Sequence, residues 1–209
     1  MKSPTGRYAT ILLSWSAAVG AAILLWIGAL GYLRAQSPTA VPAAPDTRPL
    51  AATPSSLYPA PDFEIVMYQG QSAVGGSKVR LSQLWRRGKP IVLNFFAGLC
   101  PPCRAEMPDL QRLYDTNRSK VQLISVDVGP YVGLGSREEA KALLRALRIT
   151  FPAGTVFDED ILVTYQILGM PTTVFITADG KILRKHTGLL TYEQMTVFSD
   201  ELVRASRAR

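Results

Sequence analysis

From residue 62 onward, short apolar runs alternate with amphipathic stretches. Residues 63–68 and 77–81 are two such runs separated by a glycine-rich stretch, and they predict a β-hairpin. Residues 91–96 form a nearly continuous apolar run, which predicts a strand covered on both faces of its sheet. We therefore expect a hairpin extension followed by a buried central strand.

Two later segments carry the capping-box signature of a helix start, in which Ser or Thr is followed three residues later by Glu or Gln. Ser136 with Glu139 predicts one helix, and Thr191 with Gln194 predicts a final one. Apolar positions recur at helical spacing in both, so each helix packs one face on a core. They are Ala140, Leu143, Leu144 and Leu147 in the first helix, and Met195, Phe198 and Leu202 in the second.

The rest of the pattern completes an α/β domain over residues 62–209. It predicts helices over 102–117 and near 160–167, and strands over 121–128, 172–177 and 181–186. Asp179-Gly180 is a two-residue turn signal that joins the last two strands. Alternating strands and helices that end in an antiparallel hairpin predict a mixed central sheet flanked by helices.

The N-terminal region has a different pattern. Residues 9–33 carry no charged side chain and are long enough to span a bilayer as a single helix. Lys2 and Arg7 precede this stretch, so residues 1–8 are expected in the cytoplasm and the C-terminal domain on the extracytoplasmic side. A cleaved signal peptide is the alternative, but the apolar stretch exceeds the ~7–15 residues typical of one. Residues 34–61 are rich in Pro and Ala and predict an extended linker.

Composition narrows the function classes. The net charge is +7, but no run of five or more like charges occurs, so we expect no nucleic-acid partner. Two cysteines cannot build a disulfide framework. Together with the single His they also supply too few ligands for a four-ligand zinc site. We expect neither a metal nor another cofactor.

The two cysteines lie where a helix is expected to begin. Cys100 and Cys103 flank Pro101-Pro102 directly after the buried strand, and a helix N-terminus favours a thiolate. Cys100, on an exposed lip, is expected to be the nucleophile, and Cys103 the less accessible resolving thiol that closes their disulfide. A static disulfide and a metal half-site are the alternatives. A static bond closing so small a loop would stabilise the fold little.

The two prolines also favour one redox direction. Neither Pro101 nor Pro102 has a backbone N–H, so only Cys103 and later amides can donate to a Cys100 thiolate. Weaker stabilisation of the reduced form makes a dithiol a better reductant. We therefore expect a reductant outside the cytoplasm, which would receive its electrons across the membrane.

Residues 94–108, Asn-Phe-Phe-Ala-Gly-Leu-Cys-Pro-Pro-Cys-Arg-Ala-Glu-Met-Pro, resemble the active-site segment of membrane-anchored thioredoxin-like oxidoreductases of the TlpA/ResA/DsbE type. The resemblance extends over most of residues 60–190, including the Gly-Met-Pro-Thr-Thr stretch that begins at Gly169. It implies a thioredoxin-like fold, a redox-active Cys100–Cys103 disulfide, a cis-proline at Pro171 and a substrate-contacting Met170. From the residues alone, Pro171 could equally open its strand in the trans form.

The same resemblance implies partners. They are protein thiols and disulfides such as apocytochrome c, and a membrane electron donor. The chain is expected to act as a monomer.

Two departures from the family pattern concern the site. Leu99 stands where the family usually has Trp, which changes the surface that contacts the partner. Asn94 stands where thioredoxins proper carry a buried Asp. Asn cannot accept a proton from the Cys103 thiol, so another group or water must do so. Glu106 and Asp109 are expected on the solvated face of the helix.

Three other functions compete with the oxidoreductase. A copper chaperone would use both thiols as ligands, and a docking module would keep the fold without catalysis. A peroxiredoxin would need Pro-x-x-x-Thr-x-x-Cys, and residues 93–100 contain neither that Pro nor that Thr. The sequence therefore favours an enzyme of thiol-disulfide exchange.

Overall fold

The computed structural model describes residues 57–208. The predicted anchor at 9–33 and nearly all of the predicted linker lie outside the described residues. Within residues 57–208 no helix is long and apolar enough to cross a membrane.

The described residues form an eight-stranded mixed sheet with helices packed on it. The strands are β1 (Tyr58–Pro59), β2 (Glu64–Gln69), β3 (Lys78–Arg80), β4 (Ile91–Phe96), β5 (Gln122–Asp127), β6 (Ala153–Thr155), β7 (Thr172–Ile176) and β8 (Lys181–Thr187). The helices are α1 (Gln71–Val74), α2 (Leu81–Trp85), α3 (Pro101–Asn117), α4 (Gly129–Val132), α5 (Arg137–Ala146), α6 (Ile161–Thr164) and α7 (Tyr192–Arg207). The predicted α/β class and mixed sheet are confirmed.

The strand order is β1-β8-β7-β4-β5-β6-β2-β3. Only the neighbouring pairs β4–β5 and β5–β6 of this sheet are parallel. The other five pairs are antiparallel. We call the end of the sheet where β4 and β5 finish the cysteine end, because Cys100 follows β4 there. The opposite end, where β4 and β5 begin, is the base.

β4 is the central strand, and all six of its residues are buried. Successive side chains of a strand point to opposite faces, so β4 contributes to two cores. Val92 and Phe96 pack in the core beneath α3, α5 and α7, whereas Ile91, Leu93 and Phe95 pack in the core beneath α2 and α6, to which β2 also contributes. This double burial is the reason for the continuous apolar run in the sequence.

Both predicted capping boxes are present. The Glu139 carboxylate accepts from the Ser136 N–H at 2.7 Å, and the Ser136 hydroxyl accepts from the Glu139 N–H at 3.3 Å. Thr191 and Gln194 make the same pair of bonds at the start of α7. These helices therefore begin where the sequence places them, and their predicted apolar faces pack on one core.

The turn between β7 and β8 differs from the prediction. The Thr177 N–H donates to the Lys181 carbonyl at 2.8 Å, which leaves three residues, 178–180, in the loop. Gly180 has φ +79°, the left-handed conformation required in three-residue hairpin loops. The predicted two-residue turn was therefore wrong, since one more residue is needed to accommodate this glycine.

Five short elements have no counterpart in the predicted pattern, namely β1, α1, α2, α4 and β6. β1 has two residues and β6 has three, and Leu81, expected to end a strand, begins α2. β6 lies between β5 and β2, where a Cβ on Gly154 would come within 2.5 Å of the Val66 carbonyl oxygen. Glycine at this position therefore allows the hairpin extension to join the sheet.

Candidate active site

The two cysteines lie at the N-terminus of α3, at the cysteine end of β4. Cys100 is the N-cap of α3 and forms a disulfide with Cys103, with 5.2 Å between their Cα atoms. Pro101 and Pro102 occupy the first two helical positions and have no N–H. The Cys103 N–H donates to the Cys100 sulfur at 3.2 Å. Within the described residues, the Cys103 amide is thus the one bonded to this sulfur in the disulfide form, and it is among those that the two prolines leave as possible donors.

The cysteines are less accessible than the sequence predicts. Cys100 is 2% exposed and Cys103 is 1% exposed, so the expected exposed lip at Cys100 was wrong for the disulfide form. The segment of residues 129–135, called the brace here, is bonded to the loop that carries them. The Leu99 N–H donates to the Leu134 carbonyl at 2.8 Å. Leu99 itself remains 56% exposed.

An apolar cavity of about 330 Å³ opens beside the disulfide. Its lining residues include Cys100 but not Cys103, which distinguishes the two sulfurs although their exposures are similar. The other lining residues are Pro101, Pro102, Val132, Leu134, Ile167, Leu168, Gly169 and Met170. A partner that enters this cavity therefore meets Cys100 first.

Met170 lines the same cavity, and Pro171 follows it just before β7. The Met170–Pro171 peptide bond is cis, and the Pro171 carbonyl accepts from the Gly188 N–H at 2.8 Å. Pro171 is buried and Met170 half-buried. The structure thus brings Met170 and Cys100 to one cavity, and contact of Met170 with a substrate stays a prediction.

Glu106 is the residue that sequence reasoning placed wrongly. It is 1% exposed, not solvated, and its two carboxylate oxygens accept from Asn94 Nδ2 and the Leu190 N–H, each at 2.8 Å. Burial raises the pKa of Glu106 to about 7, and these two hydrogen bonds only partly oppose the effect. A carboxyl group that is close to half ionised at neutral pH therefore lies below the cysteines.

Helical spacing could have predicted this burial. Glu106 follows Cys103 by three residues and lies between buried Cys103 and buried Met107 and Leu110 on α3. Asp109 is half-buried rather than fully solvated, and its carboxylate accepts from the Tyr192 N–H at 3.1 Å. The charge of these residues suggested solvent, whereas the period of the helix indicated the core.

Asn94 holds Glu106 in place from β4. Its Nδ2 donates to Glu106 and, at 3.1 Å, to the Thr173 hydroxyl, while its Oδ1 accepts from the Ser125 hydroxyl. Asn94 is fully buried, so these bonds replace water. Within residues 57–208, Glu106 is thus a buried carboxyl group bonded directly to Asn94.

A second buried carboxyl group lies one strand away. Asp127 ends β5 beside Phe96, and it accepts from the Tyr68 hydroxyl and the Gly129 N–H, each at 2.9 Å. Burial raises its pKa from the ordinary range. Because Gly129 begins the brace, Asp127 fixes the segment that in turn holds Leu99.

Comparison with known proteins identifies the family of this chain. Residues 58–185 match the AhpC/TSA family. The chain is 33% identical over 144 residues to the thiol-disulfide oxidoreductase ResA of Oceanobacillus iheyensis, covering 68% of this chain and 70% of that protein. It is 30% identical over 137 residues to ResA of Bacillus cereus, covering 65% and 72%.

A solved structure agrees with the fold. The exposed lipoprotein thioredoxin Etrx1 of Streptococcus pneumoniae superposes with a TM-score of 0.57 at 26% identity, over 68% of this chain and 100% of that one. The described fold is thioredoxin-like, as the sequence resemblance implies. Family match, relatives and the Cys100–Cys103 pair agree, and the chain belongs to the AhpC/TSA family as a thiol-disulfide oxidoreductase of the ResA type.

Proposed function

We propose that this chain is a membrane-tethered, extracytoplasmic reductant of protein disulfides. The observation that carries the proposal is the arrangement around α3. Cys100 lines an apolar cavity, and Cys103 lies on the same buried helix face as Glu106, whose pKa is raised to about 7. This arrangement supplies an attacking thiol, a resolving thiol and a proton acceptor.

The reaction passes two electrons to the substrate. In the reduced form, the Cys100 thiolate attacks one sulfur of a substrate disulfide, forms a mixed disulfide and releases the first substrate thiolate. Cys103 loses its proton and attacks the Cys100 sulfur, which closes the Cys100–Cys103 bond and releases the second substrate thiolate. The substrate disulfide becomes two thiols and the enzyme dithiol becomes a disulfide.

Glu106 accepts the proton of Cys103 in this scheme. An ordinary thiol has a pKa of about 8.5, and a general base works best when its own pKa lies near the operating pH. The raised pKa of Glu106 meets this condition, whereas an ordinary carboxylate would be a weak base. Asn94 positions the carboxylate and takes no proton itself.

The apolar cavity favours an extended polypeptide as the substrate. Leu168, which lines it, and Leu99, which precedes Cys100, are both exposed, and among the described residues no charged side chain lines the cavity. A chain segment with apolar residues next to its cysteine fits such a surface better than a small polar molecule does. Apocytochrome c, or another protein with a cysteine pair, is the substrate class that the sequence resemblance supports.

The tether and the donor belong to the same proposal. The uncharged stretch of residues 9–33 after Lys2 and Arg7 supports an anchor with an extracytoplasmic domain. A reductant on that side must be reduced again after each turnover, so a membrane protein would donate the electrons. The chain acts as a monomer, since one chain contains both thiols and Glu106.

The test is the reduction potential of the Cys100–Cys103 couple, measured on the chain in dithiothreitol or glutathione buffers. Because Cys103 supplies the only amide within residues 57–208 that is bonded to the Cys100 sulfur, we expect about −220 mV or lower, as for reducing couples. A value near −120 mV would instead make it an oxidant. Cys103→Ser is the control, because it should trap a mixed disulfide on Cys100.

A further inference from the structure

The charges of the domain are separated between its two ends. At the base, the connections between helices and strands are residues 70–77, 85–90, 118–121, 145–152 and 177–181, together with the end of α7 at 204–208. Within these described segments ten side chains are basic and one, Asp179, is acidic. The basic residues are Arg86, Arg87, Lys89, Arg118, Lys120, Arg145, Arg148, Lys181, Arg204 and Arg207.

The connections at the cysteine end have the opposite composition. Residues 97–100, 128–136, 156–171 and 188–191 contain three acidic side chains, Asp158, Glu159 and Asp160, and no basic one. Cations favour helix C-termini, which accounts for Arg145, Arg204 and Arg207. It does not account for Lys89 and Lys120, which precede β4 and β5. The base is therefore more basic than helix dipoles require.

A cavity of about 370 Å³ lies within this basic surface. Arg87, Lys89 and Arg118 line it and are exposed, and within residues 57–208 none of them forms an ion pair with an acidic side chain. Arg87 donates only to the carbonyls of Ala73 and Val74, which hold the guanidinium without neutralising it. The remaining lining residues include the apolar Val74, Leu84, Val121, Leu123 and Pro152. Three cationic side chains beside apolar lining residues are complementary in charge and polarity to an anionic group that is attached to an apolar chain.

The first strand of the described chain, β1, lies at the base. Tyr58 and Pro59 pair with Ile182 and Lys181, the first residues of β8. The six residues of β4, at about 3.3 Å each, separate this end from the cysteines by roughly 20 Å. Tyr58, the first residue paired into the sheet, therefore lies nearer the base than the cysteines.

We infer that the base docks on an anionic phospholipid bilayer, with the 370 Å³ cavity receiving a phosphate headgroup. Docking in this way points the disulfide and its cavity away from the membrane, toward soluble or extended substrates. The inference rests on the proposed tether, which would hold the domain near a bilayer, and not on the redox chemistry.

Hydrogen–deuterium exchange of the full chain tests this docking. The chain is mixed with vesicles of phosphatidylglycerol or of phosphatidylcholine at about 0.05 M salt. We expect exchange in residues 85–90 and 118–121 to slow by about tenfold with the anionic lipid only, because each Lys or Arg that reaches an anionic surface adds attraction. The effect should disappear near 1 M salt, where the Debye length falls to about 3 Å.

Variants of equal charge identify the surface. Lys89→Glu/Arg118→Glu/Lys120→Glu should lose the protection, whereas Lys78→Glu/Arg112→Glu/Lys141→Glu, with the same change in net charge, should keep it. Equal protection by both lipids, or equal loss in both variants, would overturn the inference. So would the same protection by inorganic phosphate without vesicles, since the site would then bind a free anion. Turnover of a small disulfide in the same samples reports the redox function separately.

Discussion

At the scale of single residues, Glu106 has the most unusual chemistry in the site. Burial moves its pKa from the ordinary 4.5 to about 7, although both carboxylate oxygens accept hydrogen bonds. A folded-state pKa above the unfolded one means that the folded protein binds this proton more tightly. The resulting stabilisation is complete below the unfolded pKa and is lost as the pH rises through the folded pKa.

The first prediction follows from this sign. Between pH 4.5 and about 7, the free energy of unfolding should lose about 3 kcal/mol through Glu106, at 1.36 kcal/mol per pKa unit. Glu106→Gln cannot titrate, so its profile should lack this fall. Urea unfolding of the disulfide form of the native protein and of Glu106→Gln, at several pH values, measures the two profiles. Parallel profiles for the two proteins would show that Glu106 does not titrate in this range.

The rate at which Cys103 resolves a mixed disulfide distinguishes a role of Glu106 in proton transfer from a role in stability. In Glu106→Gln the attack of Cys103 on a mixed disulfide should be slowed by about 100-fold, the lower range for loss of a general base. Asp115→Asn is a suitable control, since Asp115 is exposed and accepts only from Gln111. A structural role alone would change the unfolding free energy and leave the pH dependence of this rate unaltered.

Some of these residues could be predicted from sequence and others could not. The spacing of Cys100 and Cys103 after an apolar run gives their place, because a buried strand that leads into a helix exposes the helix N-terminus. The burial of Cys100 could not be predicted, because the residues beside it include Val132 and Leu134 of the brace, which follow it by about thirty residues. Glu106 was predicted to face solvent because its side chain is charged, although its helical position indicates the core.

At the scale of elements, the brace connects β5 to the active-site loop. The Asp127 carboxylate accepts from the Gly129 N–H, the Gly129 carbonyl accepts from the Leu134 N–H, and the Leu134 carbonyl accepts from the Leu99 N–H. Because the bonds form a series, a change at Asp127 reaches Leu99 without direct contact.

The second prediction concerns this series. Asp127→Ala leaves the Gly129 N–H and the Tyr68 hydroxyl without their buried partner, at a cost of about 1–3 kcal/mol in unfolding free energy. Asp127→Asn keeps a side-chain oxygen that can accept from the Gly129 N–H. The amide is also neutral, and a site that raises the pKa of Asp127 favours a neutral side chain over a charged one. The Asn variant should therefore be nearly as stable as the native protein.

Hydrogen–deuterium exchange measures the same series locally. Residues 129–135 and the Leu99 amide should exchange faster in Asp127→Ala and at the native rate in Asp127→Asn. Uniform acceleration over the whole domain in Asp127→Ala would show only global destabilisation. In that case the brace would not depend on Asp127 in particular.

The elements that the sequence predicted are those with a local cause. The capping boxes of α5 and α7 and the apolar run of β4 each have a signal within a few residues. β6, with the sequence Ala-Gly-Thr, has none, because its place depends on β2 and β5 on either side. The hairpin turn was predicted one residue too short, because Asp-Gly is also a signal for the loop that carries Gly180 in the left-handed conformation.

At the scale of the whole molecule, charge separation appears only after folding. No run of five or more like charges marks it in the sequence, since the basic residues of the base come from five separate segments. The strand directions bring these segments to one end, and they bring Asp158, Glu159 and Asp160 to the other. The chain therefore has a net charge of +7 although its cysteine end is acidic.

The final prediction is a preference for basic substrates. The first turns of α3 and α5 add Arg104 and Arg137 to the cysteine end, but those of α5 and α7 add Glu138, Glu139 and Glu193, so acidic side chains remain in excess there. A field of one sign attracts partners of the other sign and raises their association rate. Two disulfide peptides that differ only in flanking Lys or Glu should react at different rates at low salt, the Lys peptide faster by about tenfold.

Salt and substitution identify the cause of that difference. The difference in rate between the Lys and Glu peptides should shrink strongly by about 0.5 M salt, because the Debye length is already near 10 Å at 0.1 M. Asp158→Asn/Asp160→Asn should narrow it at low salt, whereas Asp115→Asn/Asp200→Asn, which makes the same change in net charge on α3 and α7, should not. Stopped-flow rates with both peptides provide the measurement. A preference that persists at high salt would instead come from direct contacts in the cavity beside Cys100, and the charge at the cysteine end would then have no part in substrate selection.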